Sequence, residues 1–231
     1  MFIIGSLVNG IAVVIGALLG TLLARIPEGI KGTVMHAIGL AVIVLGLQMG
    51  LKSENFLLVI ISLVSGALTG ELIKIDDRLN HLGNWLESKI GSAGSGRVSQ
   101  GFVTATLIFV IGAMGVIGAL DSGIRGNHDV LYTKSLIDGI TALILTTTLG
   151  IGVMFSAIPV FLYQGVIALF ATQIDRFVSQ EWMDTFILEM TSAGGIMIFA
   201  IGLNLLGITK IRVANLLPAI AFVGIFVSVW P

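Results

Sequence analysis

Two charged residues stand inside one apolar stretch of the sequence. Lys134 and Asp138 are four positions apart, so a helix would place their side chains on one face as an ion pair. Charges within apolar segments are costly unless they pair or face a polar cavity, and they commonly mark substrate or ion pathways. Asp138 is therefore a candidate for charge coupling in transport, with Lys134 as the partner that sets its protonation. The alternative is a structural ion pair near the helix end.

The segment around Asp138 has a near copy at the start of the chain. Ser6-Leu7-Val8-Asn9-Gly10-Ile11 returns as Ser135-Leu136-Ile137-Asp138-Gly139-Ile140. A polar residue followed by glycine at matching points of two apolar segments is typical of duplicated transporters whose broken helices line a site. We therefore expect helix breaks at both motifs and a ligand contact from Asn9. The alternative use of Asn9 is a hydrogen bond between helices.

Further polar residues within apolar segments complete the candidate site. Glu189 lies about one turn inside its segment, and hydroxyl-bearing residues and glycines follow it. Gln48 and Asn204 occupy matching positions of a second, weaker repeat, in which Gly39 and Gly46 correspond to Gly195 and Gly202. Taken singly, such amides commonly serve helix packing. The candidate substrate- or ion-binding residues are Asn9, Gln48, Lys134, Asp138, Gln164, Glu189 and Asn204.

Other kinds of chemistry have little support in the sequence. The chain has no cysteine, and His36, His81 and His128 are far apart and form no metal-ligand spacing. No phosphate- or dinucleotide-binding motif is present. A formal net charge of -1 supplies no overall basic field for nucleic acid. We therefore expect no cofactor, no metal, no nucleic-acid partner and no enzymatic activity.

The elements that must position these residues are membrane helices. Charged residues make up 11% of the chain, against about 25% in typical soluble domains, and mean hydropathy is +1.06. Several apolar runs reach the roughly 20 residues that a helix needs to cross a bilayer. The sequence predicts an all-α polytopic transmembrane helix bundle of seven or eight membrane segments, with an internal repeat and broken or re-entrant helices. The predicted helices are 3–24, 34–51, 56–75, 101–120, 135–155, 157–173, 185–207 and 211–230.

The sixth segment decides the topology. It is short, begins at Ile158-Pro159 and contains Gln164-Gly165, so a re-entrant segment and a full crossing both remain open. If all eight segments cross, the first and fifth helices run the same way, whereas the second and seventh run oppositely. One rigid repeat cannot then contain both sets of matches. The distribution of lysine and arginine near the helix ends favours an N-terminus outside.

The sequence order suggests four parts. A first transmembrane repeat covers 1–75, and 76–100 combines an amphipathic helix with a Gly/Ser linker on the cytoplasmic side. A connecting helix and loop cover 101–134, and a second repeat covers 135–231 with an inserted segment near 157–184. The amphipathic helix is predicted to lie in the membrane interface or to pack on the bundle. Its apolar face consists of Leu79, Leu82, Leu86 and Ile90, and Trp85 lies beside this face.

Motifs along the whole chain resemble those of a known family, the bacterial membrane proteins catalogued as domain of unknown function 554, the YdfK and YqgA type. The resemblance implies a multi-spanning inner-membrane protein of unassigned role, usually taken for a transporter. Many relatives carry a cysteine before the Gly-x-Met motif, where this chain has Val110 and Ile111, which argues against an essential thiol. The motifs are Asn9-Gly10, Gly70-Glu71, Gly101-Phe102, Gly112-Ala113-Met114, Gly118-Ala119, Asp121 with Gly123, Lys134 with Asp138-Gly139, Gly150-Ile151-Gly152-Val153, Ser156-Ala157-Ile158-Pro159, Gln164-Gly165, Glu189 with Thr191 and Gly194-Gly195, and Asn215 with Leu217-Pro218.

The resulting hypothesis is a small integral membrane transporter or channel for a small solute or ion, in the bacterial inner membrane. Its polar site is expected at the paired Asn/Asp-Gly motifs. The alternative is a non-transporting scaffold or regulatory subunit that docks partners on 76–100; an intramembrane enzyme is a weaker third. The Gly-x-x-x-Gly pairs serve internal packing or a homo-oligomer. They are Gly16 with Gly20, Gly46 with Gly50, and Gly66 with Gly70.

Overall fold

The described part of the chain is built from helices. The computed structural model describes residues 2–23, 28–90 and 96–229, and no strand occurs within them, which confirms the predicted all-α class. Two 3₁₀ helices, Ile151–Ser156 and Val213–Leu216, precede the eighth and tenth α-helices. The α-helices are α1 (Ile4–Leu23), α2 (Glu28–Gly50), α3 (Phe56–Ile73), α4 (Ile75–Ile90), α5 (Arg97–Val110), α6 (Ala113–Ile124), α7 (Asp129–Leu149), α8 (Ala157–Phe177), α9 (Gln180–Leu205) and α10 (Ala219–Val229).

Within the described residues, six stretches are long and apolar enough to cross a membrane, and a seventh is available if the bent pair of α5 and α6 is one span. Their outward side chains are apolar; Leu22, Leu72 and Phe177 are 74%, 85% and 83% exposed. Apolar exteriors of this extent are covered by lipid in membrane proteins. The six stretches are Ile4–Leu23, Gly32–Gly50, Phe56–Ile73, Asp129–Leu149, Ile151–Phe177 and Gln180–Leu205.

The predicted fourth helix, 101–120, is two helices. The chain bends by 63° between α5 and α6. Gly112 lies at the bend with φ +142°, a backbone conformation that residues with a side chain rarely adopt. The sequence signal for this break is weak, because the apolar run continues through it on both sides.

The helix breaks predicted at the two hexapeptides are absent. Asn9-Gly10 lies inside α1 and Asp138-Gly139 inside α7, and both helices continue without interruption. Glycine alone does not break a membrane helix, because its backbone groups stay paired within the helix. Small residues there permit close packing instead. A Cβ on Gly16 would overlap the backbone carbonyl of Gly139.

The sixth segment is a full-length helix rather than the short element of 157–173. Pro159 is the third residue of α8, in the first turn, where the missing N–H would have no partner in any case. The helix then continues through Gln164-Gly165 to Phe177. Together with the preceding 3₁₀ helix it forms a stretch of 27 residues, which is enough to cross a bilayer.

The helices pack into two compact units drawn from separated stretches of chain. The first unit comprises the described residues of Met1–Lys31, Asn80–Val110 and Met114–Phe177. The second comprises those of Gly32–Leu79, Ile111–Ala113 and Val178–Pro231. These units do not follow the order of the chain. The four-part division expected from the sequence stays a prediction.

Contacts in the first unit fix the directions of its helices. Gly5 lies against Leu131, and Gly20 against Leu143, so residue numbers rise together and α1 and α7 run parallel. The bent pair runs the opposite way. Gly101 of α5 lies beside the end of α7 at Leu149. At the other end, Ser122 of α6 donates a hydrogen bond to the carbonyl of Phe2 (2.7 Å). The bent pair therefore runs along the length of α1 and α7, as a broken span would.

The stretch 151–177 traverses the same unit. Gly152 lies against Val98 at the start of α5, and Ala168 of α8 lies against Gly123 near the end of α6. These two contacts are at opposite ends of the bent pair. The sixth segment therefore runs along the unit antiparallel to α7, which favours a full crossing over the re-entrant alternative.

Helices α2 and α9 of the second unit run antiparallel. Gly202 lies against Gly39, and Gly195 lies against Met49 and Gly50. The first set of sequence matches thus relates parallel helices, whereas the second relates antiparallel ones. No single rigid repeat contains both sets, and the internal repeat stays a prediction. The sequence also pairs Ile26-Pro27 with Ile158-Pro159 in the first set of matches, but Ile26 and Pro27 lie outside the described part of the chain.

The predicted amphipathic helix is α4. Leu82 on its apolar face and Trp85 beside that face are exposed, at 47% and 54%. Glu87 is buried on a different face, where its carboxylate accepts hydrogen bonds from the amides of Gly96 and Ser99 (2.8 and 3.3 Å). Glu87 thereby supplies acceptors to the first amides of α5. Linker residues 91–95 lie outside the described part of the chain.

Candidate functional site

The predicted ion pair between Lys134 and Asp138 is present and buried in the first unit. The Lys134 Nζ lies 2.7 Å from Asp138 Oδ2 and 2.9 Å from Oδ1, one turn apart on α7. The two residues are only 7% and 4% exposed. Pairing removes the net charge, which lowers the cost of placing two ions away from water.

Two amides from other helices complete a polar cluster with the ion pair. Asn9 Nδ2 on α1 donates to Asp138 Oδ2 (3.0 Å) and to Gln164 Oε1 on α8 (3.2 Å). Both amide residues are fully buried. We call Asn9, Lys134, Asp138 and Gln164 the polar cluster. Its four residues come from three separate helices of one unit.

The directions of these hydrogen bonds follow from chemistry. An ionised carboxylate only accepts, so Asn9 must present its NH₂ group to Asp138. That same NH₂ donates to Gln164, which must therefore present its oxygen. Asn9 Oδ1 and Gln164 Nε2 are left, and neither has a partner among the described residues. Unpaired buried polar atoms are uncommon and point to a water, ion or ligand.

Parallel packing explains why the two hexapeptide copies meet. Asn9 and Asp138 occupy the same position in the repeated motif. Because α1 and α7 are parallel and close enough for Gly16 to lie on Gly139, these equivalent positions fall side by side. The repeat therefore identified a contacting pair, although the helix breaks expected at it are absent.

Gly115 on α6 adjoins the cluster and was not among the predicted site residues. A Cβ built on it would lie 3.6 Å from Lys134 Cε, 3.7 Å from Tyr163 Cε1 and 3.8 Å from Gln164 Nε2, all ordinary van der Waals distances. A space of at least methyl size therefore lies beside the cluster. The sequence signal that could have pointed to Gly115 is its position in the apolar run, directly after the Gly112-Ala113-Met114 motif.

Glu189 lies in the second unit and has a different environment. One carboxylate oxygen accepts from the amides of Glu54 and Asn55 (both 3.0 Å), and the other accepts from the Ser53 hydroxyl. Asn55 in turn caps α3 by accepting from the amide of Leu58 (3.2 Å). Glu189 is 1% exposed, and both of its oxygens are occupied. Its contacts fix the loop before α3.

The predicted pair of Gln48 and Asn204 also lies in the second unit. Gln48 is exposed on α2. Asn204 closes the loop after α9: its Nδ2 donates to the carbonyl of Ile211 (2.7 Å), and its Oδ1 accepts from Thr209 and from the Ile211 amide. These positions show a loop-fixing role for Asn204 and place Gln48 on an outer face.

No group of three histidine or acidic side chains that could hold a metal ion occurs within residues 2–23, 28–90 and 96–229. The His128 ring instead forms a hydrogen bond with the Ser122 hydroxyl (2.7 Å) at one end of the first unit.

Comparison with known proteins decides the family. Residues 4–228 match the family described as "Protein of unknown function (DUF554)". The chain belongs to this family. The resemblance deduced from the motifs is thereby confirmed.

Two curated DUF554 relatives match nearly the whole chain. One is "Uncharacterized membrane protein YdfK" of Bacillus subtilis (strain 168), 30% identical over 221 residues that cover 94% of this chain and 92% of the relative. The other is "Uncharacterized protein YqgA" of Escherichia coli (strain K12), 29% identical over 233 residues, with coverage of 99% and 97%. No solved structure matches. The family assignment and the apolar helices make this chain a membrane protein of unknown function.

Several motif residues of this DUF554 chain coincide with its structural features. Gly112 stands at the bend between α5 and α6. Lys134, Asp138 and Gln164 belong to the polar cluster. Asn215 is 3% exposed, and its side chain accepts from the amide of Asp76 at the start of α4 (2.8 Å). The motifs therefore mark both the candidate site and turns that hold the helices.

Proposed function

We propose that this protein is a small integral membrane transporter or channel for a small solute or ion. The polar cluster of Asn9, Lys134, Asp138 and Gln164 would be its binding site. The observation that carries this proposal is a buried ion pair joined to two amides with unpaired atoms, enclosed by helices of transmembrane length.

The composition of the cluster supports a functional use over simple packing. A buried structural ion pair is normally completed by groups whose own hydrogen bonds are also satisfied. Here Asn9 Oδ1 and Gln164 Nε2 remain buried without partners, which has a free-energy cost of about 1 to 3 kcal/mol for each group. A bound solute, ion or water would relieve that cost. Intramembrane ionisable residues commonly lie on such pathways.

Flux measurements test the proposal directly. Purified protein reconstituted in liposomes is expected to pass at least one member of a panel of small ions and neutral solutes. Asp138→Asn should lower that flux by at least about tenfold, because it removes the charge that holds Lys134. Asp121→Asn is the matched control, since Asp121 forms an exposed pair with Arg125 at the same i, i+4 spacing. Absence of flux for the whole panel, with Asp138→Asn cells unchanged in phenotype, would remove the basis for transport.

We further propose that the protein lies in the bacterial cytoplasmic membrane with its N-terminus outside. In the first unit, Phe2 is at the end that holds Ser122 and His128, whereas Arg97 begins α5 at the other end. Lys89 is in the last turn of α4, close in sequence to Arg97. Arg125 and Arg176 lie at the Phe2 end, so the support comes from the whole chain, in which eight lysine and arginine residues near helix ends fall on the proposed inner side and four on the outer side.

The partners that we propose are the bilayer, the transported solute or ion, and further copies of the chain. The glycine pairs considered for self-association are already packed within the chain. Gly16 lies on Gly139, Gly46 on Phe199, and Gly66 on Ala219. A homo-oligomer would therefore use other faces.

A scaffold or regulatory subunit is the competing proposal, and the exposed face of α4 favours it. Leu82 and Trp85 present apolar surface there. Replacing both by serine should release a co-purifying partner if the scaffold proposal is right, and it should leave liposome flux unchanged if transport is the function. Deleting the helix is a poorer experiment, because Glu87 holds the start of α5.

A further inference from the structure

The space beside Gly115 lies near the start of a helix. Helix α6 begins at Ala113, and the first amides of any helix have no carbonyl partner within that helix. Met114 and Gly115 belong to this first turn. The start of a helix also carries a partial positive charge. In a lipid-embedded bundle, water is a scarce partner for such groups.

Gln164 provides an independent indication of a ligand. It is 0% exposed, its Nε2 has no partner in the described residues, and this atom lies 3.8 Å from the Cβ position of Gly115. The hydrogen bond from Asn9 fixes the amide of Gln164 so that its NH₂ group is the free end. An unpaired donor therefore adjoins the space that Gly115 leaves open.

The positively charged side chain of Lys134 borders the same space. Its Cε lies 3.6 Å from the Gly115 Cβ position. The ammonium group has three N–H donors and contacts the two Asp138 oxygens, so at least one N–H is left for another acceptor.

The balance of free groups favours an acceptor-rich ligand. Free side-chain donors come from Gln164 and Lys134, and α6 begins close by, whereas Asn9 Oδ1 is the one unpaired side-chain acceptor of the cluster in the described structure. The Asp138 oxygens are already bound by Lys134 and Asn9. The side-chain atoms of the cluster that are left for further hydrogen bonds thus include more donors than wholly unpaired acceptors, which favours an anion over a cation. We propose that the space beside Gly115 binds a small anion or the anionic group of a small solute.

This inference rests on the proposed function for the identity of the site and adds the chemical class of its ligand. Broken helices whose N-terminal ends face an anionic substrate group are a known device of membrane transport. The bend at Gly112 creates such a helix start within the apolar stretch formed by α5 and α6. The ligand would compete with Asp138 for the ammonium of Lys134.

Binding can be measured on the full-length protein in lipid nanodiscs. Thermal unfolding would be followed in sodium chloride, formate, acetate and phosphate at matched ionic strength, and again with the potassium salts. At least one of the four anions is expected to raise the unfolding temperature saturably, with the same half-saturation for both cations. No saturable stabilisation by any of the four, or a response that follows the cation, would overturn the inference.

Variants at Gly115 test the location. Gly115→Ala adds a methyl group at van der Waals distance from its neighbours, so the fold should tolerate it while the ligand loses room. It should weaken anion half-saturation by at least about tenfold, and Gly115→Val should weaken it further, because loss of hydrogen bonds to a charged group has an effect of that order. Gly165→Ala is the matched control, since a Cβ there meets nothing within 4 Å. Equal anion binding by Gly115→Ala and wild type would place the ligand elsewhere and overturn the inference.

A chemical variant provides a second, independent readout. Gln164→Met keeps a similar side-chain length and removes the free donor, and it should also weaken anion half-saturation by at least about tenfold. Normal elution in size-exclusion chromatography would show that it folds. Unchanged binding by folded Gln164→Met would exclude Gln164 Nε2 as a ligand donor.

Parallel flux measurements separate this inference from the proposed function. Saturable anion binding without flux of any solute would support the anion site and refute transport. Flux of a neutral solute or cation without anion binding would support transport and refute the anion site. Chloride and phosphate represent a free inorganic anion, and formate and acetate represent the carboxylate group of a larger solute. The half-saturation values of the two pairs are compared to distinguish these ligands.

Discussion

The ammonium of Lys134 lies 2.7 Å from the carboxylate of Asp138, and both side chains are more than nine-tenths buried. This pair belongs to one helix, yet its environment is supplied by others. Asn9 from α1 binds the same carboxylate, and Gln164 from α8 binds Asn9. The spacing of four residues brings Lys134 and Asp138 together, whereas the packing of α1 and α8 on α7 brings the two amides to them.

The ion pair should be sensitive to single substitutions and tolerant of a matched double substitution. Lys134→Met leaves a buried carboxylate without its counter-charge and should lower the free energy of unfolding by about 3 to 5 kcal/mol. Lys134→Met combined with Asp138→Leu should recover most of that loss. Unfolding by a graded denaturing detergent measures each variant. Asp121→Asn, in the exposed pair with Arg125, should change stability by no more than about 1 kcal/mol. Equal losses at the buried and exposed pairs would contradict this account.

The contact between α1 and α7 should depend on Gly16. A Cβ at this position would overlap the carbonyl of Gly139, so Gly16→Ala forces the helices apart. We expect a loss of about 1 to 3 kcal/mol in the free energy of unfolding, typical of overpacking. Gly165→Ala, which meets open space, is the control. If Gly16→Ala unfolds like the wild type, the close approach of these helices is wrong.

Substitutions of Glu189 should reveal its structural role. Glu189→Gln keeps an oxygen that can accept from the amides of Glu54 and Asn55, so stability and flux should change little. Glu189→Ala leaves these donors unpaired and should destabilise the protein by about 1 to 3 kcal/mol. Detergent unfolding and liposome flux distinguish the two roles. Loss of flux in Glu189→Gln with unchanged stability would instead restore Glu189 as an ion or solute ligand.

The directions of the helices in the first unit predict which positions share a membrane side. Ala168 of α8 lies against Gly123 near the end of α6, and Asp175 lies further along α8 in the same direction. Asn127 follows the end of α6. Single cysteines at 127 and 175 should therefore be labelled from the same side. A cysteine at Lys89, near the start of α5, should be labelled from the opposite side. The chain has no natural cysteine, so background labelling is absent. Labelling of 127 and 175 from opposite sides would contradict the full crossing of 151–177.

The bend at Gly112 should tolerate little change. Its φ of +142° is unfavourable for residues with a Cβ, so Gly112→Ala should cost about 1 to 3 kcal/mol of stability. Detergent unfolding provides the measurement, again with Gly165→Ala as the control. A Gly112→Ala protein with wild-type stability would show that the bend does not require this conformation.

The sequence by itself determined the properties that depend on composition and on near neighbours. The scarcity of charge and the length of the apolar runs specified membrane helices, because lipid accepts only segments whose backbone is paired internally. The four-residue spacing of Lys134 and Asp138 specified their pairing, because helical geometry places such residues together. The repeated hexapeptide also drew attention to Asn9 and Asp138, which do meet.

Only the tertiary structure decided which helices meet and where the chain bends. In that structure Asn9 donates to Gln164, and Glu189 and Asn204 hold loops through hydrogen bonds. The helix break lies at Gly112 and not at the hexapeptides. Apolar helix faces resemble one another, and lipid provides no hydrophobic drive that would select among them. The selection depends on close backbone contacts such as Gly16 on Gly139, between residues far apart in the chain, and these contacts leave no local pattern in the sequence.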